Sequence, residues 1–301
     1  MLGLRHRHRA AGDGERRGVL SRRDWLAAAA GLLAGCTLPP RAADWSWRLA
    51  GDRVALLGEV HDNPALHAER LGVLKGALDA GWRPAVAMEQ FDVDRQAELE
   101  RARAERPGDV EHLIERATGG RRGWDWDHYR ALIALVLARD LPLVAADLPD
   151  ALARRLVRED AAQVFGTERA RELALDGPGA IRPDAAWRAA QRDEIDAGHC
   201  HALPASLLPG MVRAQFARDA VMAEAVSRHA TRGVVLLAGN GHVRRDLGVP
   251  RWLRGIAPAR VWSVGFLESD AADVPRAAFD AVVLGPRAAR GDPCERVAPP
   301  R

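Results

Sequence analysis

The ten residues from Val54 to Asn63 read VALLGEVHDN, and this stretch decides the fold. Its first four residues are apolar and suit a short strand that is buried on both faces, as in a parallel sheet. The run then ends in Gly58, Glu59 and His61, which are residues typical of a polar site rather than of a dry core. We therefore expect a buried strand that stops where a pocket begins.

The rest of the chain repeats this alternation of apolar runs and helical patterns. Strands are predicted at 53–60, 84–91, 142–147, 233–239, 260–267 and 278–285. Helical patterns cover 64–80, 92–105, 126–140, 150–163, 183–197 and 205–230. This order favours an α/β fold with a mostly parallel central sheet flanked by helices. The last two strands are candidates for an antiparallel edge, and a helical subdomain or lid is expected around 150–230.

The first 35 residues have the three parts of an export signal. An Arg-rich start precedes the apolar stretch 25–35, which is too short to cross a bilayer as a mature helix. The sequence LAGC, ending at Cys36, matches the lipobox of bacterial lipoproteins, and SRRDWL at 21–26 resembles a twin-arginine export motif. A chance cysteine behind an ordinary apolar helix is the alternative.

These observations predict a domain plan and a location. Residues 1–35 form the signal peptide, 36–50 a lipidated tether, 51–286 the α/β domain and 287–301 a tail. The protein is expected to be exported and held to a bacterial membrane by lipid on Cys36, facing the periplasm or the cell surface. Outside the cytoplasm Cys200 and Cys294 could form a disulfide, and the sequence leaves that pairing open.

The net charge of +3 does not indicate a nucleic-acid partner. Residues 1–35 carry a net charge of +4, so the remainder of the chain is near −1. Because the basic residues are concentrated in the export signal, no basic surface for nucleic acid is expected on the domain.

Polar residues follow several of the apolar runs, each on its C-terminal side. In open parallel sheets ligands bind at the carboxyl ends of the strands, and neighbouring strands lie about 5 Å apart. The strand-end candidates for one common site are Glu59, His61, Glu89, Asp147, Asn240 and His242. Each also has a structural alternative; for example, Asp62 or Asn63 could simply cap the helix that starts at Pro64.

Two of these strand ends share the pattern Gly-x-x-His, at 58–61 and at 239–242. Glycine permits a tight backbone that turns a side chain into a crevice. Neutral imidazole is a common metal ligand and carboxylates complete such sites. His61, Glu89 and His242 are therefore candidate ligands of a divalent metal.

Five segments together resemble a known family. They are GEVHDN at 58–63, MEQF at 88–91, WDWDHY at 124–129, GHCH at 198–201 and GNGH at 239–242. With the lipobox, this ordered set is similar to the ChaN family of haem-binding lipoproteins, within a Tiki-like superfamily that includes erythromycin-esterase-like proteins and Tiki peptidases. The resemblance spans about residues 51–270. It implies haem binding linked to iron uptake, with a homodimer that encloses the cofactor as one form.

The resemblance does not say which residue holds the iron. Haem iron accepts His, Cys, Met or Tyr. Tyr129 is the only tyrosine of the chain and lies in a Trp-rich segment with arginines nearby, so it is a candidate iron ligand. The alternative is that Tyr129 is a half-buried aromatic residue with a structural role in a helix. His199 is a second candidate, because in an extended segment His199 and His201 would face the same way. The alternative for this pair is a loop that anchors the lid.

Two classes of function follow. The first is an exported lipoprotein that binds haem in a crevice at the carboxyl ends of the strands. The second is a hydrolase or peptidase, in which the paired Gly-x-x-His elements hold a divalent metal or activate water directly, with Glu59 or Glu89 as general base. The sequence names no substrate for the second and does not decide whether the chain is an enzyme.

Overall fold

A computed structural model describes residues 48–120, 123–269 and 275–296 of the chain. The export signal, the lipobox with Cys36 and most of the tether lie outside these residues, so those predictions stay predictions. No helix among the described residues is long and apolar enough to cross a membrane.

Six strands form one sheet, and each coincides with a predicted apolar run. Their bounds are β1 Val54–Leu57, β2 Ala85–Asp92, β3 Leu143–Asp147, β4 Val234–Leu237, β5 Val261–Glu268 and β6 Ala281–Gly285. The first five are almost wholly buried because helices cover both faces of the sheet. The α/β class and the strand positions are therefore as predicted.

The strand order is β3-β2-β4-β1-β5-β6, and every pair of neighbours is parallel. The expectation of an antiparallel edge at the end of the chain was wrong. Twelve residues, 269–280, separate β5 from β6, which is enough for the chain to return and start the last strand in the same direction.

Ten α-helices are described, with six short 3₁₀ turns among the loops. Four lie between β1 and β3: α1 Pro64–Asp79, α2 Gln96–Glu105, α3 Val110–Thr118 and α4 Arg130–Ala138. Five lie between β3 and β4: α5 Asp150–Leu156, α6 Ala161–Phe165, α7 Thr167–Glu172, α8 Ala185–Gly198 and α9 Leu208–His229. The short α10, Asn240–Val243, follows β4. Helices α3, α7 and α10 were not predicted from the sequence.

Two apolar cores lie on opposite faces of the sheet. One face, with Ala55 and Leu57 of β1, packs against α1, α3 and α4. The other face, with Val54 and Leu56, packs against the helices between residues 150 and 230, among which α9 contacts β2, β3 and β4. Successive side chains of a strand point to opposite faces of the sheet. The same alternation decides on which face each side chain at the end of a strand lies.

The turn after α8 is linked to the tail by a disulfide. Cys200 and Cys294 are bonded, with their Cα atoms 5.4 Å apart. His199, Cys200 and His201 do not form an extended segment, since Cys200 and His201 have left-handed φ values of 58° and 54°. His199 and His201 therefore do not share a face in the way that an extended strand would give.

Candidate functional site

The carboxyl ends of four adjacent strands bring the predicted residues together. Leu57 of β1 and Met88 of β2 both pair with Leu237 of β4, so the three strands end level. Glu89 lies one residue beyond its pair, Glu59 lies two residues beyond its pair, and Gly239 lies two residues beyond the end of β4. The site is therefore formed by residues at the ends of several strands and not by a single loop.

Glu59 continues the face of Ala55 and Leu57 and is buried there, 3% exposed. Its Oε1 accepts hydrogen bonds from the Tyr129 hydroxyl at 2.6 Å and the Gln90 amide at 3.1 Å. Its Oε2 pairs with the guanidinium of Arg70, itself 1% exposed on α1. Burial opposes ionisation of Glu59, but Arg70 and a hydrogen bond from His61 outweigh it and hold the pKa of Glu59 well below its usual range.

His61 lies at the rim of this network. Its Nδ1 is 2.7 Å from Glu59 Oε1, and its side chain is 47% exposed. The ring meets Trp124 edge to face, with centroids 4.9 Å apart. The pKa of His61 is raised, because the hydrogen bond to Glu59 and the charge of Glu89 outweigh its partial burial.

A second ionisable cluster lies on the opposite face of the sheet. His242 of α10 is 2.6 Å from Asp219 of α9 through Nδ1 and 3.5 Å from Glu89 through Nε2. Glu89 also accepts the backbone N–H of Gly239 at 2.7 Å. Burial opposes the charged form of His242, but Glu89 and Asp219 raise its pKa well above the usual value. Burial also raises the pKa of Asp219 to about 6, against the opposing effect of His242.

Asp147 extends this second cluster at the end of β3. It pairs with Arg218 of α9, and its Oδ1 accepts the N–H of Leu148 at 2.8 Å. Burial raises the pKa of Asp147 to about 6, although Arg218 opposes this. A cavity of about 290 Å³ opens here and is lined by Glu89, Gln90, Asp92, Thr118, Gly123, Trp124, Asp147, Asp150 and Arg218.

Asn240 joins the strand ends through the backbone. Its amide donates to the carbonyls of Glu59 at 2.9 Å and Phe266 at 2.7 Å, and its Oδ1 accepts the N–H of Phe266 at 3.0 Å. A Cβ on Gly58 would come within 2.1 Å of Asn240 Oδ1. Gly58 is therefore needed for this close approach, not for an unusual backbone angle. Asn240 therefore holds the backbone at the end of β1 against the backbone of β5.

Tyr129 and His199 occupy different surroundings from those that the sequence suggested. Tyr129 is fully buried, and burial together with Glu59 raises the pKa of its phenol. A bond to iron would require it to leave Glu59. His199 bonds through Nδ1 to the carbonyl of Ile195 at the end of α8, at 2.7 Å. It lines a separate cavity of about 210 Å³ with Arg218, and none of the other strand-end candidates lines that cavity.

The predicted divalent metal site finds no support. Within residues 48–120, 123–269 and 275–296, no group of three or more His, Cys, Asp or Glu side chains could hold a metal ion. The physical reason is that His242 already lies between two carboxylates, Asp219 and Glu89, while His61 is bonded to Glu59 on the other face. Asn63 follows its structural alternative, since its Oδ1 caps α1 by accepting the N–H of Leu66.

Three charged residues of the site were missed: Arg70, Arg218 and Asp219. The sequence does contain a signal for two of them. Arg70 stands in the apolar helical stripe Leu66, Arg70, Val73, Ala77, and Asp219 stands in the stripe Val212, Phe216, Asp219, Ala223, Val226. A charge at a core position of a helix is expensive unless it is paired, so such a position indicates a buried partner.

The fold and the site define a parallel α/β protein with two clusters of ionisable side chains at the carboxyl edge of its sheet. A family model described as "Haem-binding uptake, Tiki superfamily, ChaN" matches residues 46–253, more than half of the chain. The chain therefore belongs to this family, and the resemblance seen in the sequence motifs is confirmed. No curated protein sequence matches the chain.

One solved structure agrees with this assignment at the level of the fold. The structure of cofacial haem binding to ChaN from Campylobacter jejuni has a TM-score of 0.59 and 20% identity, covering 77% of this chain and 86% of that chain. The type III effector HopBA1 has a TM-score of 0.39 and 15% identity, covering 78% of this chain and 88% of that chain. A variant of erythromycin esterase EreC has a TM-score of 0.36 and 14% identity, covering 77% and 72%. The last two scores carry no functional argument.

Proposed function

We propose that this protein binds haem at the carboxyl edge of its sheet and serves haem or iron uptake. Membership of the haem-binding family supports the ligand, and the geometry supports the place. The observation that carries the proposal is the position of His61. Its ring edge lies over Gly239, where a Cβ would come within 3.1 Å of both Cε1 and Nε2. Glycine thus gives the His61 ring room to lie against the backbone at the rim, and imidazole nitrogen is a donor that haem iron accepts.

The dimensions of the edge favour a site on the rim rather than a closed pocket. The neighbouring cavity of about 290 Å³ is at the lower limit for organic ligands, about 300–1,000 Å³. Trp124, beside His61, supplies an apolar wall for a planar ring. Two other cavities, one of about 680 Å³ among the helices and one of about 560 Å³ beside β3, include none of the strand-end candidates.

A porphyrin on an open rim leaves one face uncovered, and a second copy of the chain could cover it. The Campylobacter ChaN structure shows cofacial haem binding in that protein. We therefore include a homodimer in the proposal. Light scattering on a size-exclusion column, with and without haem, tests it: a mass that stays at one chain with haem bound would contradict it.

Export and anchoring belong to the same proposal. LAGC at 33–36 and the twin-arginine-like motif support a lipoprotein attached to a bacterial membrane through Cys36. Metabolic labelling with a fatty acid should mark the wild-type chain and leave Cys36→Ser unlabelled. Equal labelling of both chains would remove the anchor from the proposal.

The binding proposal is tested by titrating the purified chain with ferric haem. We expect a Soret band that saturates at a fixed ratio of haem to chain. Gly239→Ala places a methyl group about 3.1 Å from the His61 ring, displaces the ring and should weaken binding. Gly241→Ala is the matched control two residues away, since a Cβ there meets nothing within 4 Å. Absence of a saturable Soret change refutes haem binding, and equal affinity of the two variants refutes the location.

A further inference from the structure

Arginines stand just before four of the six strands. They are Arg53 before β1, Arg83 before β2, Arg232 before β4 and Arg260 before β5, each one or two residues from the first residue of its strand. Because neighbouring strands are all parallel, these arginines share the amino edge of the sheet, opposite the carboxyl edge with Glu59 and Glu89. The N–H of Val234 donates to the Arg53 carbonyl at 3.0 Å, so the starts of β1 and β4 are adjacent.

Carboxylates compensate only part of this positive charge. The aspartates of the edge each have a cationic partner, in the pairs Asp52–Arg260, Asp79–Lys75, Asp79–Arg139, Asp140–Arg103 and Asp280–Arg245. The side chains of Arg53 and Arg83 donate only to backbone carbonyls. The Arg232 guanidinium has no hydrogen bond or ion pair to another described residue. These three arginines are exposed, so the amino edge presents uncompensated positive charge to its surroundings.

A cavity of about 620 Å³ opens at this edge, beside the starts of β1, β5 and β6. Its lining includes Arg48, Arg53 and Arg245, with Asp280 as the one carboxylate among the described residues that line it. Arg48 lies over the ring of Trp262, 5.9 Å from the ring centroid. Guanidinium groups bind phosphate through planar, paired donors, so a hollow with three of them suits a phosphate group.

The tether joins the domain at the same edge. The described chain begins at Arg48, six residues before β1, and Cys36 lies twelve residues before Arg48. Twelve residues span at most about 40 Å. An anchor on Cys36 therefore keeps the amino edge within that distance of the lipid headgroups.

We infer that the amino edge, with Arg53, Arg83 and Arg232, docks on anionic phospholipid headgroups of the membrane that holds the anchor, and that the carboxyl edge faces away from that membrane. This inference rests on the proposed lipid anchor and specifies which face of the domain meets the bilayer. Anionic headgroups attract basic residues at a membrane surface, and each arginine there raises the ratio of docked to undocked chains about fivefold. The attraction falls off within a Debye length, about 8 Å at physiological salt, so it acts only once the tether has brought the edge close.

The experiment uses the mature lipidated chain in vesicles, with a fluorophore on one edge at a time. Thr231→Cys places a thiol beside Arg232 on the amino edge, and Ala151→Cys places one on α5, which follows the carboxyl end of β3; both positions are exposed. The native cysteines are occupied by the disulfide and the anchor, so the introduced thiol takes the label. The vesicles contain phosphatidylcholine with or without phosphatidylglycerol, and a spin-labelled headgroup lipid as quencher. With phosphatidylglycerol the Thr231 label should be quenched more than the Ala151 label, and high salt should abolish the difference.

Charge variants test the arginines themselves. Combining Arg53→Gln, Arg83→Gln and Arg232→Gln should lower the ratio of docked to undocked chains about a hundredfold and remove the difference in quenching. The matched control removes the same charge from three exposed arginines of the helical region after β3, with Arg154→Gln, Arg158→Gln and Arg192→Gln. This control should keep the difference.

The outcomes separate the docked face from the anchor. If the chain floats with the vesicles but both labels are quenched equally, or the Ala151 label more, the inference is wrong and the anchor stands; the arginines then fit an acidic protein partner. An equal difference in vesicles without phosphatidylglycerol, or in the triple arginine variant, also overturns it, because the arginines would have no part. Should the triple variant not fold, the wild-type comparison between the two vesicle compositions and between low and high salt decides the question. A chain that carries no lipid and does not float with the vesicles removes the proposed anchor itself.

Discussion

Replacing Arg70 by Met is the sharpest test of the buried network that holds the site. The Arg70 and Glu59 side chains are each 1% exposed, and the Arg70 Nε has no partner among the described residues. Removing one member of a buried ion pair leaves the other charge uncompensated, which costs about 3–5 kcal/mol. We expect Arg70→Met to lower the free energy of unfolding by that amount, measured by urea denaturation at neutral pH.

Two controls make this prediction specific. Arg155→Met removes an exposed arginine from an i,i+4 pair with Glu159, so its effect on the unfolding free energy should be much smaller. Combining Arg70→Met with Glu59→Gln removes both buried charges and should recover part of the loss. If Arg70→Met costs no more than Arg155→Met, or if the double variant is no more stable than Arg70→Met, the buried pair does not have the role given to it here.

Three further predictions concern the disulfide, acid stability and the strand-end glycine. Reducing the bond between Cys200 and Cys294, which closes a separation of 94 residues, should lower the unfolding free energy by about 2–5 kcal/mol; an unchanged melting temperature under reductant would contradict it. Burial and Arg70 depress the pKa of His67 from 6.5 to about 4, so the unfolded chain binds the extra proton first and stability falls as pH drops from 6.5 towards 4. His67→Gln should reduce this loss of unfolding free energy between pH 6.5 and pH 4, to which His67 contributes about 3 kcal/mol. An unchanged slope of unfolding free energy against pH would refute the prediction. Gly58→Ala should cost about 1–3 kcal/mol by overpacking against Asn240, whereas Gly241→Ala should be near neutral by the same measurement, and equal costs would contradict the close approach.

Much of the fold could be predicted from local patterns. A short apolar run that stops at Gly-Glu or Gly-Asn marks both a buried strand and its carboxyl end. The alternation of strands and helices, and the placement of Glu59 and Glu89 at the same edge of the sheet, could therefore be predicted from the sequence. The strand order did not, because insertion of β4 between β2 and β1 is decided by packing over long separations. The direction of β6 was mispredicted for the same reason.

The sequence predicted which strand-end residues form the site, but not the charged residues that pair with them. Local sequence gives Glu59 and His61 two residues apart, but it does not show that Arg70 neutralises the carboxylate or that Asp219 holds His242. Nor does it show that the sheet separates these groups into two clusters on opposite faces. The two-residue period would have separated Glu59 from Glu89 once the register was known, since β1 and β2 present them on different sides.

The central claim is that haem binds where the strands of the sheet end, and diffraction at the iron absorption edge tests it most directly. Crystals of the haem-loaded protein should show the anomalous iron peak beside His61 and Gly239, on the rim next to Trp124. An iron peak among the helices, in the cavity of about 680 Å³ near Trp252 or the one of about 560 Å³ beside β3, would contradict the claim.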